Sequence, residues 1–133
     1  MPSTWQDVYA IGKAFMDKNY ALWDDQSRRP ELKALYKSNS TLSFQAGDSG
    51  FAGDEIYDGI FGLIPQTTKH EIASVDVQGN ADDMVVLVTG RAFIGGSDDP
   101  TYFSEVFQLA AERPGDSSSL YILKDVIRIT KEQ

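Results

Sequence analysis

MVVLVTGRAFIGGSDDPTYFSEVFQLAA, residues 84–111, alternates apolar and polar side chains through 84–93. It breaks at a glycine pair, two aspartates and a proline, then alternates again through 102–111. A period of two marks a strand that buries one of its faces. The break is made of turn formers and is too short for the crossover of a dozen or more residues that parallel neighbours need. The stretch reads as two antiparallel strands joined at a loop. The same alternation covers 70–78 (HEIASVDVQ) and 120–129 (LYILKDVIRI), with GNADD and ERPGDSSS as the intervening turns. Four consecutive strands with such short connections make an antiparallel meander. Gly90 falls inside one of them, where glycine marks a bulge or a sharp bend.

Upstream the period changes. Val8, Ile11, Phe15, Leu22 and Trp23 fall near one helical face, and Ser3 with Gln6 forms a capping box, so a helix is predicted over residues 4–24. Pro30 suits the first turn of a short second helix, PELKALY, with Leu32, Leu35 and Tyr36 facing inward. TLSFQ (41–45) alternates as a strand, and the glycine-rich AGDSGFAG (46–53) turns the chain into a third helix, DEIYDGIFGLI, which Pro65 closes. Helices first and strands afterwards indicate an α+β fold with the helices on one face of the sheet. The expectation is a strongly curved antiparallel sheet with the N-terminal helices packed in its concave face. Such a cone, open at one end, would occupy 1–133 as a single domain. The open end serves equally as a catalytic pocket or as a socket for another protein's side chain.

Composition removes several function classes. The 133 residues carry a formal net charge of −8, which repels phosphate backbones and argues against nucleic acid as a partner. An acidic surface favours a cationic partner or serves solubility. With no cysteine there are no disulfides, thiolate metal sites or cysteine nucleophiles. The N-terminus lacks a basic region followed by an apolar run, and no stretch approaches the roughly 18 apolar residues of a membrane span. A soluble intracellular protein is expected, which makes the NST sequon at 39–41 accidental. One histidine and scattered acids provide no metal-ligand spacing, so no metal and no cofactor is expected. No G-x-S-x-G elbow accompanies His70, and GDSGFAG lacks the lysine of a phosphate loop.

Five residues carry open readings. In the last strand, parity sets Tyr121, Leu123, Asp125, Ile127 and Ile129 on one side, so Asp125 is a carboxylate among apolar neighbours. It is either tied to buried donors or is an acid–base group with a raised pKa. His70 shares a strand face with Ile72, Ser74 and Asp76, where a satisfied structural histidine is the default reading. Trp5, at the start of the first helix, either closes the core or forms an exposed aromatic patch. Asp98 and Asp99 are either the solvated tip of a hairpin or rim carboxylates that select a basic partner.

The order of elements, with IGKAFMDKNYALWDD, LKALYKSNSTLSFQ, FAGDEIYDGIFGLIP, KHEIASVDVQ, the DDP and FSEVFQL pair and ILKDVIRI, resembles the nuclear transport factor 2 family from Trp5 to Ile129. The resemblance implies a non-enzymatic carrier that homodimerises through its sheet. Such a carrier brings the GDP-bound form of the small GTPase Ran into the nucleus, and works in cytoplasm, nucleus and nuclear pore. It implies that an aromatic side chain of Ran enters the cone while rim carboxylates pair with basic residues around it. Phenylalanine-glycine repeats of nucleoporins bind near a tryptophan that opens the first helix. By this resemblance Trp5 is the repeat-binding tryptophan and Asp99, before Pro100, a rim carboxylate. Phe44 takes the place of a cavity-wall tryptophan, Ile64 and Ile127 match apolar wall positions, and His70 matches a histidine beside a rim acid. Gln45 and Ser97 stand where the family has acids, with Asp98 as a substitute beside Ser97. The same fold also hosts the heterodimerising adaptor subunit of an mRNA export receptor, and small-molecule isomerases and dehydratases, for which Asp125 would be the base.

Overall fold

A computed structural model describes residues 4–45 and 49–130. Ser3 of the expected capping box and residues 46–48 of the glycine-rich turn lie outside the described residues. The first helix, α1, runs Trp5–Asp24, and Thr4 caps it: its Oγ1 accepts the Asp7 N–H at 3.2 Å. Val8, Gly12, Met16, Asn19, Tyr20 and Trp23 make the buried stripe, while Ile11 and Phe15 flank it half-buried. Gly12 lets the helix approach the sheet closely. A Cβ there would meet Val77 Cγ2 at 2.9 Å and Met84 Sδ at 3.2 Å. The segment expected as a second helix is a 3₁₀ turn over Arg29–Leu35, with Pro30 in its first turn and Leu32 and Leu35 buried.

Tyr36 already belongs to the first strand, β1 (Tyr36–Phe44), which is longer than the alternation of 41–45 suggested. A four-residue strand, β2 (Ser49–Ala52), occupies part of the stretch read as a turn. A 3₁₀ turn (Gly53–Glu55) then leads into α2 (Ile56–Leu63). The meander follows as β3 (Thr68–Asn80), β4 (Asp83–Ile94), β5 (Thr101–Ala111) and β6 (Leu120–Thr130). Each strand lies within two residues of its predicted bounds. No helix among the described residues is long and apolar enough to cross a membrane.

The sheet corrects the expected architecture. The strand order is β2-β1-β6-β5-β4-β3, a single open sheet with β2 and β3 at its edges, neither strongly curled nor closed into a cone. Nor is it wholly antiparallel: β1 runs parallel to β6, with Leu42 opposite Asp125 and Phe44 opposite Ile127, so the sheet is mixed. The physical reason is that alternation fixes which face a strand buries, not which strand it pairs with or in which direction. The meander sets the direction of β6, and β1 arrives from the helical half to lie beside it. The fold is α+β, with helices covering one face.

Two bulges adjust the faces. Ile72 pairs with Gly90 and Ser74 with Thr89, which leaves Ala73 as an extra residue in β3. At Gly90 a Cβ would lie 2.5 Å from the Glu71 carbonyl oxygen, so glycine is required by backbone proximity at the bulge, as the sequence suggested. In β6, Gln108 pairs with Lys124 but Leu109 with Ile122, leaving Leu123 extra. Parity therefore changes there. Asp125 and Ile127 face the core as predicted, whereas on the other side of the bulge Ile122, not Leu123, is fully buried. The helix-covered face packs Met84, Val86, Val88, Phe103, Phe107, Leu109, Ile122 and Ile127 against α1, α2 and the Arg29–Leu35 turn. The opposite face keeps Val85, Leu87, Val106 and Val126 exposed, and Leu87, Val106 and Val126 stand in one cross-strand row.

Candidate functional site

At one end of the sheet, period-two alternation aims several side chains at a common point. These are Thr68 and His70 from the start of β3, Ala92 and Ile94 from the end of β4, Thr101, Phe103 and Glu105 from β5, and Ile127 and Ile129 from β6. Trp23 from the last turn of α1 and Ile64, just after α2, close the other side. Together they line a small, largely apolar pocket of about 40 Å³.

A hydrogen-bonded polar group fixes its α1 side. The Asp24 carboxylate accepts the Thr68 hydroxyl at 2.8 Å and the His70 backbone N–H at 2.8 Å, and it contacts His70 Nδ1 at 2.6 Å. Burial pushes the Asp24 carboxyl up, but the bonds from His70 and Thr68 outweigh it and hold the group below the usual carboxylate range. The His70 ring lies among Tyr20, Trp23 and Phe103, with centroids 4.9, 5.8 and 5.6 Å away. Buried Arg29 donates from Nε to the Trp23 carbonyl oxygen at 3.0 Å, and its guanidinium sits 4.8 Å from the Phe61 ring centroid. It thereby satisfies the end of α1 and ties it to α2.

Glu105 brings a carboxyl to the pocket's inner wall, with Asp125 behind it. Glu105 and Asp125 are both buried and close enough to interact with each other. Tyr20 donates its hydroxyl to Glu105 Oε1 at 2.7 Å, and Tyr36 donates to Asp125 Oδ2 at 2.9 Å. Burial pushes the Glu105 carboxyl well above its ordinary range, and the charge and hydrogen bond of Asp125 add to this. Burial also raises Asp125, to about 6, against the opposing bonds from Glu105 and Tyr36.

The residues singled out from sequence separate in space. Ile64, His70 and Ile127 meet in the pocket wall. Phe44 lies beside Ile127 in register, half-buried against the core, and does not line the pocket. Gln45 takes a left-handed φ of 58°; it donates its N–H to the Ile127 carbonyl at 3.0 Å and accepts the Ile129 N–H on its side-chain oxygen. It therefore braces the two β6 residues that form the wall. Asp98 and Asp99 are exposed, in a loop whose ends, Ile94 and Thr101, are both pocket residues. That loop is also a true turn: Gly95 and Gly96 are left-handed at φ 65° and 77°, and Ser97 Oγ accepts the Asp99 N–H at 3.0 Å. Asp125 sits behind Glu105 and does not itself line the pocket. Trp5 is 63% exposed and stacks on Tyr9, ring centroids 6.0 Å apart, which makes it a surface patch rather than a core plug. Among the described residues no three metal-ligating side chains cluster.

Sequence reasoning missed Trp23, Asp24, Thr68, Phe103 and Glu105 as site residues. For Glu105 a signal existed. Phe103, Glu105, Phe107 and Leu109 share one parity, so the same alternation that marked Asp125 marks Glu105. For Asp24 and Thr68 there was none, because their pairing depends on where α1 ends relative to β3.

The model of the nuclear transport factor 2 (NTF2) domain matches residues 11–129. "Nuclear transport factor 2B" of Arabidopsis thaliana is 32% identical over 125 residues, covering 92% of this chain and 94% of that protein. "Nuclear transport factor 2" of Oryza sativa subsp. japonica is 32% identical over 126 residues, covering 92% and 97%. Among solved structures, nuclear transport factor 2 from Cryptosporidium parvum superposes with a TM-score of 0.77 at 30% identity, covering 91% of this chain and 93% of that one.

Proposed function

The chain belongs to the nuclear transport factor 2 family and, like the transport factors it resembles, is not an enzyme; on that premise we propose that it is a homodimeric carrier taking GDP-bound Ran through the nuclear pore into the nucleus. The observation that carries this reading is the joining of an apolar pocket to an acidic loop. Ile94 and Thr101 line the pocket, and Asp98 and Asp99 lie between them. An aromatic side chain flanked by lysine or arginine fits that combination, with its ring at the pocket mouth and its cations on the loop. Seating a whole ring requires the mouth to open, since a benzene-sized ligand occupies a cavity of roughly 150 Å³. Ile64, half-buried past the end of α2, is the side chain placed to give way.

Two further surfaces suit the role. The stacked Trp5 and Tyr9 rings offer an exposed face for phenylalanine-glycine repeats, which favours the carrier over the adaptor reading. The Leu87–Val106–Val126 row supplies an apolar outer face for a second copy. With Gln45 and Ser97 in place of acids, the rim relies on Asp98 and Asp99 for its charge. The test is binding of Ran loaded with GDP or GTP, measured for the wild type and for D98N/D99N. Preference for the GDP form, with weaker and less salt-sensitive binding by the double variant, is expected. Equal binding of both nucleotide forms, or no effect of the double substitution, refutes the reading.

A further inference from the structure

The carboxyl pair formed by Glu105 in the pocket wall and Asp125 behind it does not belong to any partner contact described so far. Glu105 and Asp125 are each almost wholly buried, and each receives one tyrosine hydroxyl. Among the described residues no lysine or arginine pairs with either. Asp125 Oδ1 is buried and has no conventional donor. Two ionised carboxylates in contact without a cation repel strongly, whereas one proton between them resolves both problems. A proton on Glu105 gives Asp125 Oδ1 the donor it lacks, and the pair then carries one negative charge, shared with Tyr20 and Tyr36.

Glu105 also lines the pocket, so whatever fills the pocket removes water from this pair. We propose that docking an apolar side chain here takes up a proton at the Glu105–Asp125 pair, so that docking strengthens as the pH falls. This rests on the carrier reading for the identity of the docked group, but the shared proton does not. The groups that face Glu105 are Tyr20 from α1, Asp125 from β6, Tyr36 from β1, and His70 from β3, which is held by Asp24. Only a substitution within the pair separates its contribution from that of these neighbours. Glu105→Gln suits the purpose: it keeps a hydrogen-bonding group toward Tyr20 and Asp125 but binds no proton.

The test has two arms. In the first, urea unfolding of wild type, E105Q and D125N is followed from pH 5 to 8.5 without a partner. Wild-type stability should fall with rising pH as the pair is forced to ionise, and both variants should flatten that slope. In the second, GDP-loaded Ran is titrated calorimetrically at pH 6 and 8 in buffers of different ionisation enthalpy. Wild type should bind more tightly at pH 6, by about tenfold for each unit by which docking raises the pair's pKa, with net proton uptake. E105Q should lose the uptake. Equal unfolding slopes in wild type and both variants overturn the shared proton. Partner binding with the same uptake in E105Q overturns the linkage. If Ran binds neither form at any pH while the unfolding slopes differ, the carrier reading fails and the shared proton stands.

Discussion

Gly90→Ala is the sharpest test of how the pocket end of the sheet is built. The added methyl would lie 2.5 Å from the Glu71 carbonyl oxygen and 3.2 Å from Ile72 Cα, both backbone atoms. Carbon–oxygen contacts settle at about 3.3 Å, so the bulge at Ala73 would have to open by about 0.8 Å. No flexible side chain can absorb that. Overpacking of this kind costs about 1–3 kcal/mol, and a backbone clash belongs to the upper half of the range. The gain of alanine over glycine in a strand offsets about 0.5–1 kcal/mol of this. A net loss of about 2 kcal/mol corresponds to a drop of roughly 6–10 °C in Tm for a domain of this size. Gly62→Ala is the matched control: it lies in α2 with nothing within 4 Å of the added Cβ, and it should gain up to about 1 kcal/mol in helix propensity. Urea and thermal unfolding at one fixed protein concentration read both. If Gly90→Ala stays within about 0.5 kcal/mol of wild type, or if Gly62→Ala loses as much, close backbone approach does not govern this bulge.

Three other substitutions probe separate links. Asp24→Asn should lower stability at pH 7 by about 1 kcal/mol, since bonds to a charged acceptor are lost. The Asp24 carboxyl is held below its unfolded value, so its contribution is present above that value and disappears as pH falls through the lowered one. Wild type and variant should therefore converge in acid-unfolding curves as the pH falls through that lowered value. Trp5→Ala should leave the unfolding midpoint unchanged, because the ring is exposed, yet abolish retention on immobilised phenylalanine-glycine peptide. Leu87→Arg puts charge into the outer apolar row and should shift a dimer to monomer in sedimentation velocity, with the monomer still folded by circular dichroism.

The sequence yielded elements more readily than their assembly. Alternation located β3 to β6 within two residues and placed Asp125 and Ile127 on the core face. Those features depend on neighbours within one strand. The parallel β1–β6 pair and the open sheet depend on contacts between residues some 80 positions apart, such as Leu42 and Asp125, and no local pattern encodes them. The bulge at Leu123 shows the same limit at short range: one extra residue moved burial from Leu123 to Ile122. Within the site, Ile64, His70 and Ile127 came from family resemblance. Glu105 was legible from parity but was not read, and the Asp24–Thr68–His70 group required the fold.

β3 is thirteen residues long and, among the described residues, has a strand neighbour on one side only, the kind of border that recruits further strands into fibrils. Ala73 interrupts its hydrogen-bonding rhythm midway, and Lys69, Glu71 and Asp76 spread charge along it. A flat incoming strand would find neither continuous pairing nor a neutral surface. Lateral growth is discouraged, which leaves the outer row as the face through which the proposed dimer would form.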